Sequence, residues 1–450
     1  MARIRVPNAR LRALMEETDW TQGGLARAVN AVAAEAGTVL RYDRTTVAHW
    51  LAGSHPMPRV QPLACEALSR RCGRVITAEE AGFAGQDPVV PAQLAPSEGG
   101  GLVGLLHELS GSVPYRPART RPASRALGSG RVTGAARTPS TRHSASLFFT
   151  RTLQAQGGGF ARGTLRTYLA EAVAGQLRGA RGRARQERYA EASQLALVLG
   201  RMYADDLRNG EAQHCYLTAR ELAVTAGNRE LAVIALRTLS SQAYGLGYLR
   251  IADETARAAV STARDTPHAV RAFAQAQLAV TAASRGERGE ALRALSEAES
   301  GVGHGEAGRH PFESYARADF EFQRGEALLA LREAAEAVPA FEYALAARTP
   351  DDRRGAALTR LRLADVLLPL GRVDETRALE RELRDDGDGL RSAAVTRRKQ
   401  ELRRALLRFC GGRSASPLLV PGDSATRWTP ALRANRRPSQ VDQGEEERLG

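Results

Sequence analysis

The sequence contains little lysine, little cysteine and few aromatic residues. Lys399 is the single lysine among 450 residues, so arginine carries almost all of the cationic charge behind the net +14. Aromatic residues make up 5% of the chain. The four cysteines lack the close paired spacing of a zinc site. We therefore expect buried thiols, no metal site and no cofactor.

Long hydrophobic runs are also missing. No stretch reaches the ~18 uncharged apolar residues of a membrane span, and the N-terminus has no segment typical of a signal peptide. The sequence predicts a cytoplasmic protein with no membrane partner. A chain of 450 residues with ordinary apolar and charged content is long enough for two or three domains.

Motifs of common enzyme classes are absent from the sequence. There is no glycine-rich phosphate loop after a strand, no G-x-S-x-G elbow and no His-Glu-x-x-His, and the eight histidines are scattered. The run Gly157-Gly158-Gly159 lacks the partner residues of a phosphate loop, so we interpret it as a linker bend. We predict that the protein is not an enzyme and has no catalytic residues.

Residues 20–58 contain two short amphipathic segments in the order of a helix-turn-helix DNA reader. The first begins near Thr21, whose hydroxyl can cap a helix. The second begins at Asp43, a good N-cap, and stops at Gly53. Amphipathic segments before and after these two have the spacing of supporting helices. Together they predict a small helical bundle that binds double-stranded DNA.

The second segment has one apolar face and one polar face. Its apolar stripe has the spacing of a buried helix face, which leaves the polar residues toward the DNA groove. Arginine can form two hydrogen bonds with guanine, and threonine can contact a base or a thymine methyl. The predicted base contacts are Arg44, Thr45 and His49. The predicted phosphate contacts, at helix ends or flanks, are Thr21, Gln22, Arg41 and Ser54.

The segments TQGGLARAV and TTVAHWLAG, followed by Met57-Pro58, resemble XRE-type (lambda-repressor-like) DNA-binding domains. The sequence departs from that pattern between Asn30 and Tyr42, where a plain helix-turn-helix has a turn of about 3 to 4 residues. We expect the first helix to extend through Glu35 before Gly37 breaks it.

A strongly basic segment follows the predicted bundle. Between Glu108 and Glu171 there are ten arginines and no acidic residue, in a context rich in Pro, Gly and Ser. This composition predicts a disordered linker over residues 86–160. Such a segment would strengthen nonspecific DNA binding by counterion release, or act as a solvated spacer without contact to DNA. Both interpretations stay open.

Residues 161–410 consist of alanine-, leucine- and arginine-rich segments with helical spacing. One pair of segments resembles the tetratricopeptide pattern, in which small residues allow two antiparallel helices to approach; its residues are Leu199, Gly200, Tyr203, Ala212, Tyr216 and Ala219. Matching alanines recur at 212, 252, 291 and 337, which is a longer repeat than the usual ~34 residues. The resemblance implies a helical-hairpin solenoid. Residues 411–450 contain Gly, Ser, Pro and Arg without helical periodicity, which predicts a disordered tail.

The concave surface of such a solenoid would hold a peptide, a small molecule or a protein partner. A cluster of aromatic and basic residues is the predicted effector pocket: Phe312, Tyr315, Arg317, Phe320 and Arg324. Core packing of the aromatic residues and a solvated helix face for the arginines explain this cluster as well.

The sequence therefore predicts an all-α protein in which a helix-turn-helix bundle over residues 1–85 is joined by a basic linker to a tetratricopeptide-like solenoid. This organisation resembles actinomycete transcriptional regulators with an XRE-type domain and tetratricopeptide-like repeats. The resemblance implies a regulator of sporulation or antibiotic production. We expect a homodimer on a palindromic site, in which the array dimerises or binds an effector that changes the spacing of the two bundles. The alternative is a tetratricopeptide-like interaction adaptor whose helix-turn-helix domain is vestigial.

Overall fold

The structure is a computed structural model that describes residues 6–35, 38–83, 115–117, 143–179, 181–302, 315–385 and 389–410. Within these ranges the protein is all-α, with stacked helices and no strand. None of the described helices combines the length and apolar character needed to cross a membrane. Most of the predicted linker and the whole predicted tail lie outside the described residues.

Four helices form the N-terminal bundle: α1 Ala9–Glu17, α2 Gln22–Glu35, α3 Arg44–Leu51 and α4 Gln61–Cys72. Helix α2 packs against both α3 and α4, and α1 contacts the same two helices. At the centre of the core, Trp50 makes edge-on ring contacts with Tyr42 and Phe83. The predicted bundle helices are confirmed, including the extension of α2 to Glu35.

The remaining helices form an array: α5 His143–Gln156, α6 Gly158–Tyr168, α7 Ala174–Gly179, α8 Gly182–Asp205, α9 Asn209–Thr225, α10 Arg229–Gly245, α11 Leu249–Thr262, α12 His268–Ser284, α13 Arg288–Glu299, α14 Arg317–Ala330, α15 Ala334–Ala346, α16 Arg353–Leu367, α17 Val373–Asp385 and α18 Ala393–Cys410. A π-helical turn, Leu169–Val173, joins α6 to α7. From α8 to α17 the helices pack in successive pairs, each pair joined by a short turn. The predicted stack of helical hairpins is confirmed.

Glycines allow the two helices of a pair to approach closely. A methyl group on Gly200 of α8 would overlap the ring of Tyr216 on α9. Gly325 of α14 has the same relation to Phe341 of α15, since its Cβ would lie 2.7 Å from that ring. The four matching alanines of the second helices are fully buried: Ala212, Ala252, Ala291 and Ala337. The predicted spacing therefore marks equivalent places in successive hairpins.

The linker prediction is wrong at its C-terminal end. Residues predicted as disordered include α5, whose Phe149 and Leu153 are buried in the same core as α8. The hydroxyl of Ser146 on α5 donates to Gln194 at 3.0 Å and is fully buried. The basic composition of this region suggested disorder, but its few apolar residues, among them Phe149 and Leu153, are sufficient to pack one helix.

The three-glycine run is a packed turn of the array, where the sequence analysis predicted a linker bend. Gly157 has a positive φ of 85°, and the N–H of Gly158 donates to Asp205 at 2.7 Å. The N–H of Gly159 donates to the carbonyl of Arg391 at 2.9 Å. A side chain at 157 or 158 would collide with the backbone, so this close approach requires glycine.

The two ends of the array meet. Asp205, at the end of α8, accepts from Arg354 of α16 at 2.6 Å and from Ser392 at 2.8 Å. Helix α5 also packs against α16, and α8 against α18. The first helices of the hairpins, α8, α10, α12, α14 and α16, therefore surround a common interior.

Candidate nucleic-acid interface

The ends of helix α3 are fixed by its flanking residues. The Asp43 carboxylate accepts from the N–H of Thr46 at 2.9 Å and caps the helix, as predicted. These hydrogen bonds hold the pKa of Asp43 below its usual value. At the other end, Gly53 has a φ of 97°, which terminates the helix where the sequence predicted.

The start of α2 and the segment before α3 are held in a similar way. The hydroxyl of Thr21 accepts from the N–H of Gly24 at 3.0 Å, which caps α2. The side chain of Asn30 accepts from the N–H of Tyr42 at 2.9 Å and donates to its carbonyl at 2.8 Å. This pair of bonds anchors the residues between α2 and α3, which a plain helix-turn-helix lacks.

Helix α3 buries one face and exposes the other. Its buried residues are Val47, Trp50 and Leu51, in the same core as α2. Its three predicted base contacts, Arg44, Thr45 and His49, are all exposed. Within the described residues, the guanidinium of Arg44 pairs with no carboxylate. The polar face of α3 is therefore open to a ligand.

A shallow groove runs from α1 to the N-terminal ends of α2 and α3. It brings Arg44 together with two predicted phosphate contacts, Thr21 and Gln22. It also contains Arg12. Arg12 was not among the predicted contacts, because helical spacing shows that it lies on the polar face of α1 but not which helices lie beside that face. Its other lining residues are Met15, Glu16, Asp19, Trp20, Gly23 and Leu51.

The remaining two predicted phosphate contacts lie away from this groove. Arg41 is exposed on the segment before α3. Ser54 follows the opposite end of α3 from Arg44, and its hydroxyl donates to the carbonyl of His49 at 2.5 Å. Ser54 is therefore already bonded to the helix it follows.

The chemistry of the groove suits an anionic ligand only in part. The N-terminal ends of α2 and α3 carry partial positive charge, and arginine forms paired hydrogen bonds with phosphate or guanine. The carboxylates of Glu16 and Asp19 oppose this in the same groove. A polyanion is therefore favoured at the α3 end, around Arg44, and disfavoured at the α1 end.

The bundle is attached to the array through residues of α2 and α4 that do not line the groove. Arg70 of α4 binds both Glu35 and Glu66, at 2.8 Å in each case. From the array, Asn209 donates to Glu35 at 2.9 Å and the hydroxyl of Tyr248 donates to Glu66 at 2.5 Å. Both carboxylates are 8% exposed. This buried set of five polar residues joins the two parts of the protein.

Backbone contacts strengthen the same junction. Gly247, with a φ of 87°, lies so close to α4 that a Cβ would sit 2.5 Å from the carbonyl of Arg70. Tyr115, within the predicted linker, stacks on Tyr248 with ring centroids 5.4 Å apart. Arg116 exchanges backbone hydrogen bonds with the side chain of Gln213. Tyr115 and Arg116 are therefore bound to the array, within a segment that the sequence predicts to be disordered.

The predicted effector residues do not act together as a pocket wall. Tyr315 and Phe320 are buried in the core. Arg317 binds Glu321 at 2.6 Å, and Arg324 lies 3.7 Å from the same carboxylate. Phe312 lies outside the described residues. Both arginines thus already have an acidic partner on their own helix.

Metal-binding chemistry is not apparent in the part of the chain that the structure describes. No group of three or more His, Cys, Asp or Glu side chains there could hold a metal ion. Burial raises the pKa of Cys65 to about 12, and Cys215 is fully buried. These two thiols are therefore protonated and inert at neutral pH.

A family model matches the N-terminal part of the chain. The model of a family described as the SP15 N-terminal domain matches residues 11–84, which include most of α1 and all of α2 to α4. No curated protein and no solved structure matches the chain.

Proposed function

We propose that this protein is a sequence-specific DNA-binding transcriptional regulator. The observation that carries the proposal is the exposed polar face of α3, where Arg44, Thr45 and His49 project from a helix held by a cap and a buried apolar stripe. This is the arrangement that a recognition helix requires in the major groove. Arg44 and Thr45 would contact base edges, while Thr21 and Gln22 would contact phosphates.

The resemblance to XRE-type domains supports the same assignment for the bundle, and the resemblance to tetratricopeptide-like repeats supports a sensing or dimerising role for the array. We propose a cytoplasmic homodimer on a palindromic site, with half-sites about 34 Å apart. The organisation resembles that of actinomycete regulators, so we propose that the protein regulates genes of sporulation or antibiotic production.

The junction between bundle and array supplies a route for regulation. Helix α2 is 14 residues long, so its ends lie about 20 Å apart. The array binds Glu35 at one end, and Gln22 faces the groove at the other. An effector that moves α9 or the start of α11 would shift Asn209 or Tyr248, and thereby reorient the reading face.

The alternative is an interaction adaptor in which the bundle no longer binds DNA. The observation in its favour is the acidic pair Glu16 and Asp19 beside Arg44, which repels phosphate. The two functions differ in DNA binding: an adaptor selects no DNA motif, whereas a regulator selects one and binds it less tightly as the Arg44→Ala variant.

The regulator predicts a loss of about 1 to 3 kcal/mol of binding free energy for Arg44→Ala and relaxed specificity at one base pair. Arg10→Ala is the matched control, because Arg10 is an exposed α1 arginine that bonds the carbonyl of Glu79 instead of lining the groove. Equal affinity and specificity for wild type and Arg44→Ala would remove Arg44 from the interface.

A further inference from the structure

Two arginines of the array, among its described residues, form no ion pair. Arg201 of α8 and Arg237 of α10 are both half-buried. Within the described residues neither forms an ion pair or donates a hydrogen bond, and the Nε of Arg237 is buried without an acceptor. Since withdrawing a charge from water is unfavourable, buried cations are normally paired. The two unpaired guanidiniums therefore form a candidate anion site.

Aromatic side chains lie beside these arginines. The guanidinium carbon of Arg237 is 4.1 Å from the ring centroid of Phe273 on α12. Phe273 in turn meets the ring of Tyr315 edge-on, with centroids 5.4 Å apart. The hydroxyl of Tyr315 is buried and has no hydrogen-bond partner. The candidate anion site thus combines two guanidinium groups, the apolar ring of Phe273 and the unbonded hydroxyl of Tyr315.

The carboxylates nearby are already bound by other arginines. Arg348 lies 3.3 Å from Asp319 and 2.6 Å from Asp352. Asp205 is held by Arg354 at 2.6 Å. These three carboxylates therefore already bind other guanidiniums, whereas neither Arg201 nor Arg237 forms an ion pair in the part of the chain that the structure describes.

The electrostatics of the two arginines agree with this geometry. Burial lowers the pKa of Arg201 and the charge of Arg354 lowers it further, while the charges of Asp319 and Asp352 offset part of this effect. Burial also lowers the pKa of Arg237; the charge of Asp319 offsets part of the effect, and the charge of Arg201 adds to it. Arginine nevertheless remains protonated in proteins, so both side chains stay cationic. An anion between them would relieve both effects.

We propose that Arg201 and Arg237 bind a small organic anion, whose carboxylate or phosphate group is held by the two guanidiniums while its apolar part lies against Phe273. Tyr315 donates a further hydrogen bond. This site shares only Tyr315 with the pocket expected from the sequence. The role of this anion as an effector of transcription rests on the proposed function. Binding of the anion to the array does not depend on DNA binding by the bundle.

Thermal unfolding of the full-length protein tests the site, with benzoate and inorganic phosphate as separate probes at constant ionic strength. We expect at least one probe to raise Tm saturably, by about 1.5 to 2 °C at ten times its Kd. The probe that acts identifies the preferred anionic group. Arg201→Gln and Arg237→Gln are each expected to abolish the rise. Arg183→Gln, which alters a 69% exposed arginine elsewhere on α8, keeps it.

The Tm of each variant without added anion shows whether the variant still folds. Because an unpaired cation is removed, Arg237→Gln should unfold at the same temperature as the wild type or higher. A saturable rise that persists in both glutamine variants, or no rise with either probe, would overturn the proposal. Anion binding with no specific DNA binding would instead refute the proposed regulator and leave this site intact.

Discussion

The hydroxyl of Tyr248 donates a 2.5 Å hydrogen bond to the carboxylate of Glu66, across a separation of 182 residues. Glu66 lies on α4 of the bundle, and Tyr248 directly precedes α11 of the array. Both side chains are buried, with Tyr248 fully so. The array therefore holds the bundle through α4, and the exposed polar residues of α3 take no part in this bond.

Replacing Tyr248 by phenylalanine should loosen this attachment. The change leaves a buried carboxylate oxygen without its donor, which costs about 1 to 3 kcal/mol. We expect a lower Tm and faster amide hydrogen exchange in α4. Tyr343→Phe is the matched control, because Tyr343 is 54% exposed on α15. Unchanged exchange in α4 of the Tyr248 variant would show that this bond does not hold the bundle.

The close approach of Gly200 to Tyr216 makes a second prediction. Gly200→Ala forces a methyl group against the ring and should cost about 1 to 3 kcal/mol in the free energy of unfolding. Gly163→Ala is the paired control, since nothing lies within 4 Å of a Cβ on that helical glycine. It should gain about 0.5 to 1 kcal/mol. Urea denaturation measures both, and similar values for the two variants would contradict the packing described.

The cap of α3 makes a prediction about pH. The pKa of Asp43 is lowered on folding, so its contribution to stability is complete above the unfolded pKa and declines as pH falls through the folded one. We expect Asp43→Ala to lower Tm at pH 7 and the gap to the wild type to narrow at pH 3. Asp43→Asn keeps a side-chain acceptor but not the charge, so its Tm should lie between those of Asp43→Ala and the wild type at pH 7. A gap of equal size at both pH values would mean that the charged cap contributes nothing.

Features that depend on neighbours in sequence could be predicted from the sequence. Asp43 and Gly53 mark the ends of α3 because capping and positive φ are properties of a few adjacent residues. The alanines at 212 and 252 were placed correctly because helical spacing repeats within each hairpin. The same local logic identified Arg44 as exposed.

Features that depend on distant residues could not be predicted in this way. The contact of Asp205 with Arg354 and that of Glu66 with Tyr248 join helices far apart in the chain, and no periodicity encodes them. Around α5 the basic, Pro- and Gly-rich composition predicts a linker, whereas the short apolar pattern that packs the helix is too brief to predict it. For the same reason the unpaired Arg237 could not be distinguished from any solvated arginine.

The central claim is that the exposed face of α3 reads DNA sequence. Its most direct test is selection of genomic fragments by the purified full-length protein at near-physiological salt, followed by sequencing of the retained DNA. The account predicts enrichment of one short motif, and loss of preference at a single base pair of that motif with Arg44→Ala. Retention of no DNA, or of DNA without a shared motif, would contradict it and favour the adaptor.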